Sequence, residues 1–143
     1  MPQSFSNIWI HATWATKLRL PVLDKKWRFL LFKYILEQSK NNGIHLDFVN
    51  GIEDHVHILF KLHPTQTVSK ILKTVKGASS RWINEQNYMK DEEIFSWQDG
   101  YGAISVSPDR IPTVRNYIKN QEVHHQSKTY EEELKEFRIY DDV

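Results

Sequence analysis

The sequence predicts an α+β fold: an antiparallel sheet in the order β-α-β-β-α-β, with helices on one face and further helices at the C-terminal end. Three observations predict it. Apolar residues alternate over 5–14, two short alternating runs flank a polar turn between 44 and 62, and helical apolar spacing recurs over 27–38 and 68–83. At 143 residues the chain fits one domain, 1–143, large enough to bury a core without a staple.

In residues 5–14, Ile8, Ile10, Ala12 and Trp14 share a side, as in a strand. A basic loop with Lys17 and Arg19 follows. From Asp24 as a helix cap, Trp27, Leu30, Leu31, Tyr34, Ile35 and Gln38 form a stripe that Asn41-Asn42-Gly43 ends. Ile44, Leu46 and Phe48 then share one face, as do Val56, Ile58, Phe60 and Leu62. The polar stretch Asn50–Asp54 between them makes the two runs a hairpin. A second helix after Pro64-Thr65 has the stripe Val68, Ile71, Leu72, Val75, Ser79, Trp82 and Ile83. An irregular segment, 87–100, leads into a strand at Tyr101–Val106. Asp109 is placed as the cap of a third helix running to about Gln126, with Pro112 in its first turn, where a missing N–H is harmless. Thr129 and Glu132 form a capping box for a short last helix. This order of elements is the ferredoxin-like arrangement.

With no cysteine, disulfides, thiolate metal sites and a cysteine nucleophile are excluded, so metal ligands must come from the 7 His, the carboxylates or neutral oxygens. No apolar run reaches the ~18 residues of a membrane span, and Met1–Ser4 does not open a signal peptide, so a cytoplasmic location and no membrane partner are expected. The net charge of +1 names no partner, but its distribution is uneven. Between His55 and Asn84 there is no acid, while Lys61, Lys70, Lys73, Lys76 and Arg81 are basic. Acids gather at 91–93, at 131–136, and at Asp141 and Asp142. Such a cationic stretch either solvates a helix or meets phosphate.

His55 and His57 alternate with Val56 on one strand, so both imidazoles face away from the predicted core and can share a divalent ion on the open sheet face. Tyr117 and Gln121 are four apart on the third helix and share a face. His124 and His125 are adjacent on a helix and cannot both grip one ion, so they read as surface; His11, His45 and His63 lack a partner at metal spacing.

Taken together, His55-Val56-His57 after its polar turn, Trp97-Gln98-Asp99-Gly100-Tyr101-Gly102-Ala103 before a strand, and Tyr117–His125 on a helix closely resemble the single-tyrosine HUH transposases of bacterial insertion sequences and their REP-associated relatives. The resemblance runs from the first strand to about Tyr130. It implies a transposase that cleaves and rejoins single-stranded DNA at hairpin-containing element ends. Tyr117 would be the nucleophile of a 5′-phosphotyrosine intermediate, and Mg²⁺ or Mn²⁺ would be held by His55, His57 and Gln121. It also implies a homodimer with active sites shared in trans. Lys70, Lys73, Lys76 and Arg81 then become candidate phosphate contacts, and Tyr88, Trp97 and Tyr101 candidate stacking surfaces for unpaired bases. Two other classes remain open at this point: a non-catalytic single-stranded nucleic-acid-binding module, and a metal-dependent phosphoesterase that uses activated water.

Overall fold

A computed structural model describes residues 3–126 and 128–138; Met1, Pro2, Asp141 and Asp142 lie outside the described residues. Four strands, β1 (Ile8–Ala15), β2 (His45–Gly51), β3 (His55–Leu62) and β4 (Gly102–Val106), form one sheet in the order β2-β3-β1-β4. Every neighbouring pair is antiparallel, with Ala12 opposite both Ile58 and Ala103. Helices α1 (Arg28–Asn41) and α2 (Val68–Glu85) complete the expected β-α-β-β-α-β core.

Alternation along the strands sorts side chains into two separate cores. The larger core joins Ile10, Ala12 and Trp14 of β1, and Val56, Ile58 and Phe60 of β3, to Leu31 and Ile35 of α1 and Ile71, Leu72 and Val75 of α2. The smaller one lies on the opposite face, where Trp9 and Leu59 meet Val106, Ile111 and Ile118. Helix α3 (Ile111–Lys119) covers that second face, followed by a single turn, α4 (Gln121–His124), and α5 (Tyr130–Arg138). The sheet is therefore covered on both faces, and the histidine face is closed rather than open.

Four expectations about the elements need correction. Phe48 does not share a face with Leu46. The register skips Asp47 between Leu46 and Phe48, and this bulge turns Phe48 toward the second core while Leu46 stays with the first. The third helix does not run unbroken to Gln126, because Asn120 departs from helical geometry (φ −97°, ψ 26°) and separates α3 from α4. Its start also differs. A 3-10 turn at Pro108–Arg110 precedes it and Arg110, not Asp109, is the capping position, with Pro112 in the first turn as expected. Helix α1 likewise begins at Arg28, because residues 24–27 form a turn in which Asp24 Oδ1 accepts from Lys26 N–H.

Candidate active site

The β2–β3 turn sets the first two histidines. Gly51 is required there: a Cβ at that position would lie 2.2 Å from the His55 carbonyl oxygen. The turn is anchored to the β1–α1 loop, since Thr16 N–H donates to the Asp54 carbonyl and Leu23 N–H to that of Glu53, both at 2.9 Å. Asp54 is thereby placed to accept from His55 Nδ1 at 2.8 Å, which turns His55 Nε2 inward. On the same face, His57 Nδ1 pairs with His11 Nε2 at 2.9 Å, which turns His57 Nε2 inward as well. Both imidazoles are completely buried.

From the covering side come Tyr117 and Gln121. Asn50 of β2 donates its amide to the carbonyls of Ile118 and Lys119, at 3.0 and 3.1 Å, and so caps the C-terminal end of α3. Beyond that cap the buried Arg28 holds Glu122 at 2.8 Å, tying α4 to the start of α1. Between these two ties Gln121 is fully buried, with its Oε1 3.1 Å from His55 Nε2. The Tyr117 ring packs edge-on against His57 and His11, with centroids 5.8 and 5.9 Å apart. His55, His57, Tyr117 and Gln121 are thus brought together within one chain.

The middle of this group is occupied by a residue that no sequence motif marks, Glu133 of α5. Its carboxylate is 1% exposed. Oε1 lies 2.7 Å from His57 Nε2 and 3.3 Å from His55 Nε2. Oε2 accepts from the Tyr117 hydroxyl, from Gln121 Nε2 at 3.2 Å, and from His125 Nε2 at 3.3 Å. In sequence Glu133 is the third of three consecutive acids. The usable signal was the capping box, which forms as expected, with Glu132 N–H donating to Thr129 Oγ1. It fixes the start of α5, so that Tyr130 and Glu133, three apart, face inward together. His125 is not the surface residue its position predicts. Adjacent helical histidines do point apart, His124 onto the Tyr117 ring, but His125 joins the buried cluster. His11, which has no partner at metal spacing in the sequence, is the buried support of His57.

Burial sets the charge states, modified by Glu133. It pushes His57 down to about 4, against the hydrogen bond and charge of Glu133 that favour protonation. His11 is held well below the ordinary range by burial and by His57. For His55 burial is outweighed by hydrogen bonds to Asp54 and Glu133, and its value is raised. Burial alone would raise Glu133, yet hydrogen bonds from His125, His55 and His57 hold it far below the usual carboxylate range.

The donor set fits a divalent ion. Two imidazole Nε2 atoms and an amide oxygen converge, and both outer imidazole nitrogens have partners. His55, His57, His125 and Glu133 bring one ligand atom each within 4.8 Å of one another.

The cationic candidates lie elsewhere. Lys70, Lys73 and Arg81 are exposed on α2, across the sheet from the histidines. Lys76 donates to the Gln98 and Gly100 carbonyls, both at 2.8 Å, and so anchors the loop before β4. Of the aromatic candidates, Trp97 belongs to the core and donates to Ser79 Oγ, Tyr88 stacks on Trp27, and Tyr101 is exposed.

A four-stranded sheet with paired strand histidines facing a tyrosine on a covering helix is the arrangement the resemblance implies, and the family match makes the protein a transposase. The chain belongs to the IS200-like transposase family, whose model matches residues 4–121. It is 26% identical over 114 residues to the ISDra2 transposase TnpA of Deinococcus radiodurans, covering 78% of this chain and 81% of that one. A crystal structure of a protein assigned as a transposase from Deinococcus radiodurans R1 superposes with a TM-score of 0.67 at 25% identity, over 85% of this chain and 95% of that one. A REP-associated tyrosine transposase bound to a REP hairpin shares the fold, with a TM-score of 0.59 at 14% identity over 87% and 74% of the two chains. Among the described residues no helix is long and apolar enough to cross a membrane.

Proposed function

We propose that this transposase, acting as one domain over residues 1–143, cleaves and rejoins single-stranded DNA by transesterification through Tyr117. The observation that carries the reading is the convergence of Tyr117, His55, His57 and Gln121 on one buried polar cluster. The hairpin-bound structural relative supports a substrate whose single strand flanks a hairpin.

In this reading His55, His57 and Gln121 hold Mg²⁺ or Mn²⁺. When bound, the ion would polarise the scissile phosphate and offset its developing charge. The protein's own residues do the rest. Asp54 and His11 orient the imidazoles, and α3 presents the Tyr117 hydroxyl beside them. The bond from Tyr117 Oη to phosphorus forms as the bond from phosphorus to the 3′ oxygen breaks. The phenol gives up its proton and the departing 3′ oxygen takes one up. The phosphodiester is conserved as a 5′-phosphotyrosine, so rejoining needs no nucleoside triphosphate. From the resemblance we also take a homodimer that shares its sites in trans. The chain brings Tyr117 to its own histidines, so sharing would exchange equivalent α3 helices between two like sites.

The test is incubation with end-labelled single-stranded DNA carrying a hairpin, followed by a denaturing gel. A covalent adduct that needs Mg²⁺ or Mn²⁺ and disappears in Tyr117→Phe is expected. Cleavage without an adduct in the parent protein would make it a phosphoesterase, and binding without cleavage a binding module.

A further inference from the structure

Glu133 is buried where a packing helix ordinarily presents an apolar side chain. Its two neighbours Glu131 and Glu132 are exposed, while Tyr130 beside it is buried. An isolated buried carboxylate is strongly unfavourable, so it persists only among groups that compensate it. Here each oxygen has a distinct set of partners. Oε1 faces the two strand imidazoles, and Oε2 collects the Tyr117 hydroxyl, the Gln121 amide and His125.

We propose that Glu133 is an additional ligand of the divalent ion, through Oε1, and that its Oε2 positions the Tyr117 hydroxyl beside that ion. Helix α5 then belongs to the active site, outside the His55, His57 and Gln121 set that the resemblance implies. The spacing supports this assignment. An octahedral ion with ligands at ~2.1 Å places adjacent ligand atoms roughly 3 Å apart. The separations here are 2.7 Å (His57 Nε2 to Glu133 Oε1), 3.3 Å (His55 Nε2 to Glu133 Oε1) and 3.1 Å (His55 Nε2 to Gln121 Oε1). The chemistry agrees with it. Two imidazoles and an amide are neutral and hold a hard cation weakly, whereas one carboxylate is the usual protein ligand for Mg²⁺. A carboxylate that binds the ion through one oxygen and the nucleophile through the other also fixes the distance between them, which suits a reaction governed by positioning.

The inference rests on the metal-dependent reading of the site, but its test needs no DNA. Mn²⁺ binding to the full chain is measured from the electron paramagnetic resonance signal of the free ion. Glu133→Gln, nearly the same shape without the charge, is expected to weaken Mn²⁺ at least ~10-fold. Tyr117→Phe, which touches only the outer oxygen, should leave affinity within about 2-fold. Equal or tighter binding by a folded Glu133→Gln overturns the proposal and makes the carboxylate an occupant of the site that competes with the ion. Should Glu133→Gln fail to fold, the Mg²⁺-minus-apo infrared difference spectrum of the parent decides. A shifted carboxylate stretch is expected, and its absence overturns the assignment. Loss of the adduct from the parent protein with the Mn²⁺ contrast intact would sink the transposition chemistry while leaving the ligand in place.

Discussion

At the scale of single residues, the histidine cluster makes the protein sensitive to acid. Burial pushes His57 down to about 4 in the folded chain and holds His11 well below its ordinary value, whereas both take up protons at ~6.5 when unfolded. Between these limits the unfolded state binds more protons, so stability falls as pH falls. Glu133, whose value is depressed, adds the same sign below its unfolded value of 4.5. His55 works the other way. Its value is raised, so its contribution is fully present below ~6.5 and is lost as pH rises through the folded value. Two histidines and a carboxylate oppose one histidine. We therefore expect the thermal midpoint of the metal-free protein to drop steadily from pH 7 to pH 4, and a flat profile would contradict these charge states.

At the scale of elements, the site depends on the break between α3 and α4. A continuous helix would keep Tyr117 and Gln121 on one helical face; the turn at Asn120 lets Gln121 be placed independently and buried. Asn50 holds the break by donating to two terminal carbonyls. Asn50→Ala should lower stability by about 1 kcal/mol, the worth of an ordinary hydrogen bond, and should weaken Mn²⁺ binding by displacing Gln121. Asn50→Asp should be worse at neutral pH, because it sets a negative charge against the negative end of a helix. Chemical denaturation and Mn²⁺ titration of the two variants check the order. If both match the parent, the cap is not what positions Gln121.

At the scale of the whole molecule, the sheet separates two surfaces. The histidines lie beneath α3, α4 and α5, whereas Lys70, Lys73 and Arg81 sit on α2 across the sheet. DNA that reaches both must pass around an edge. Lys70→Ala with Lys73→Ala should weaken binding of long single strands and reduce the salt slope by ~0.7 for each phosphate no longer neutralised, while a short substrate filling only the histidine face is cleaved as before. Equal weakening for short and long strands would place the lysines at the reacting phosphate instead. Assembly is tested by co-expressing a His57→Ala subunit with a Tyr117→Phe subunit. With sites shared in trans, each mixed dimer holds one intact site, and random pairing leaves roughly a quarter of all sites active. With every site built inside one chain, each carries a defect and the mixture is inactive.

The order of elements, the capping box of the last helix and the inward faces of β1, β3 and α2 were legible in the sequence, because they follow from local periodicity and capping chemistry. The bond between Thr129 and Glu132 and the alternation of His55 with Val56 are settled within four residues of chain. Resemblance then named His55, His57, Tyr117 and Gln121 together. What local pattern could not supply was which distant elements meet. Closure of the histidine face depends on α3, α4 and α5 folding back over β2 and β3, and the second-face position of Phe48 depends on a bulge opposite another strand. Glu133 and His125 joined the site through that closure, and His11 through the pairing of β1 with β3, in contacts made across 76, 8 and 46 residues of chain. A surface-type sequence position becomes a buried one when another layer covers it, and that covering is a tertiary event.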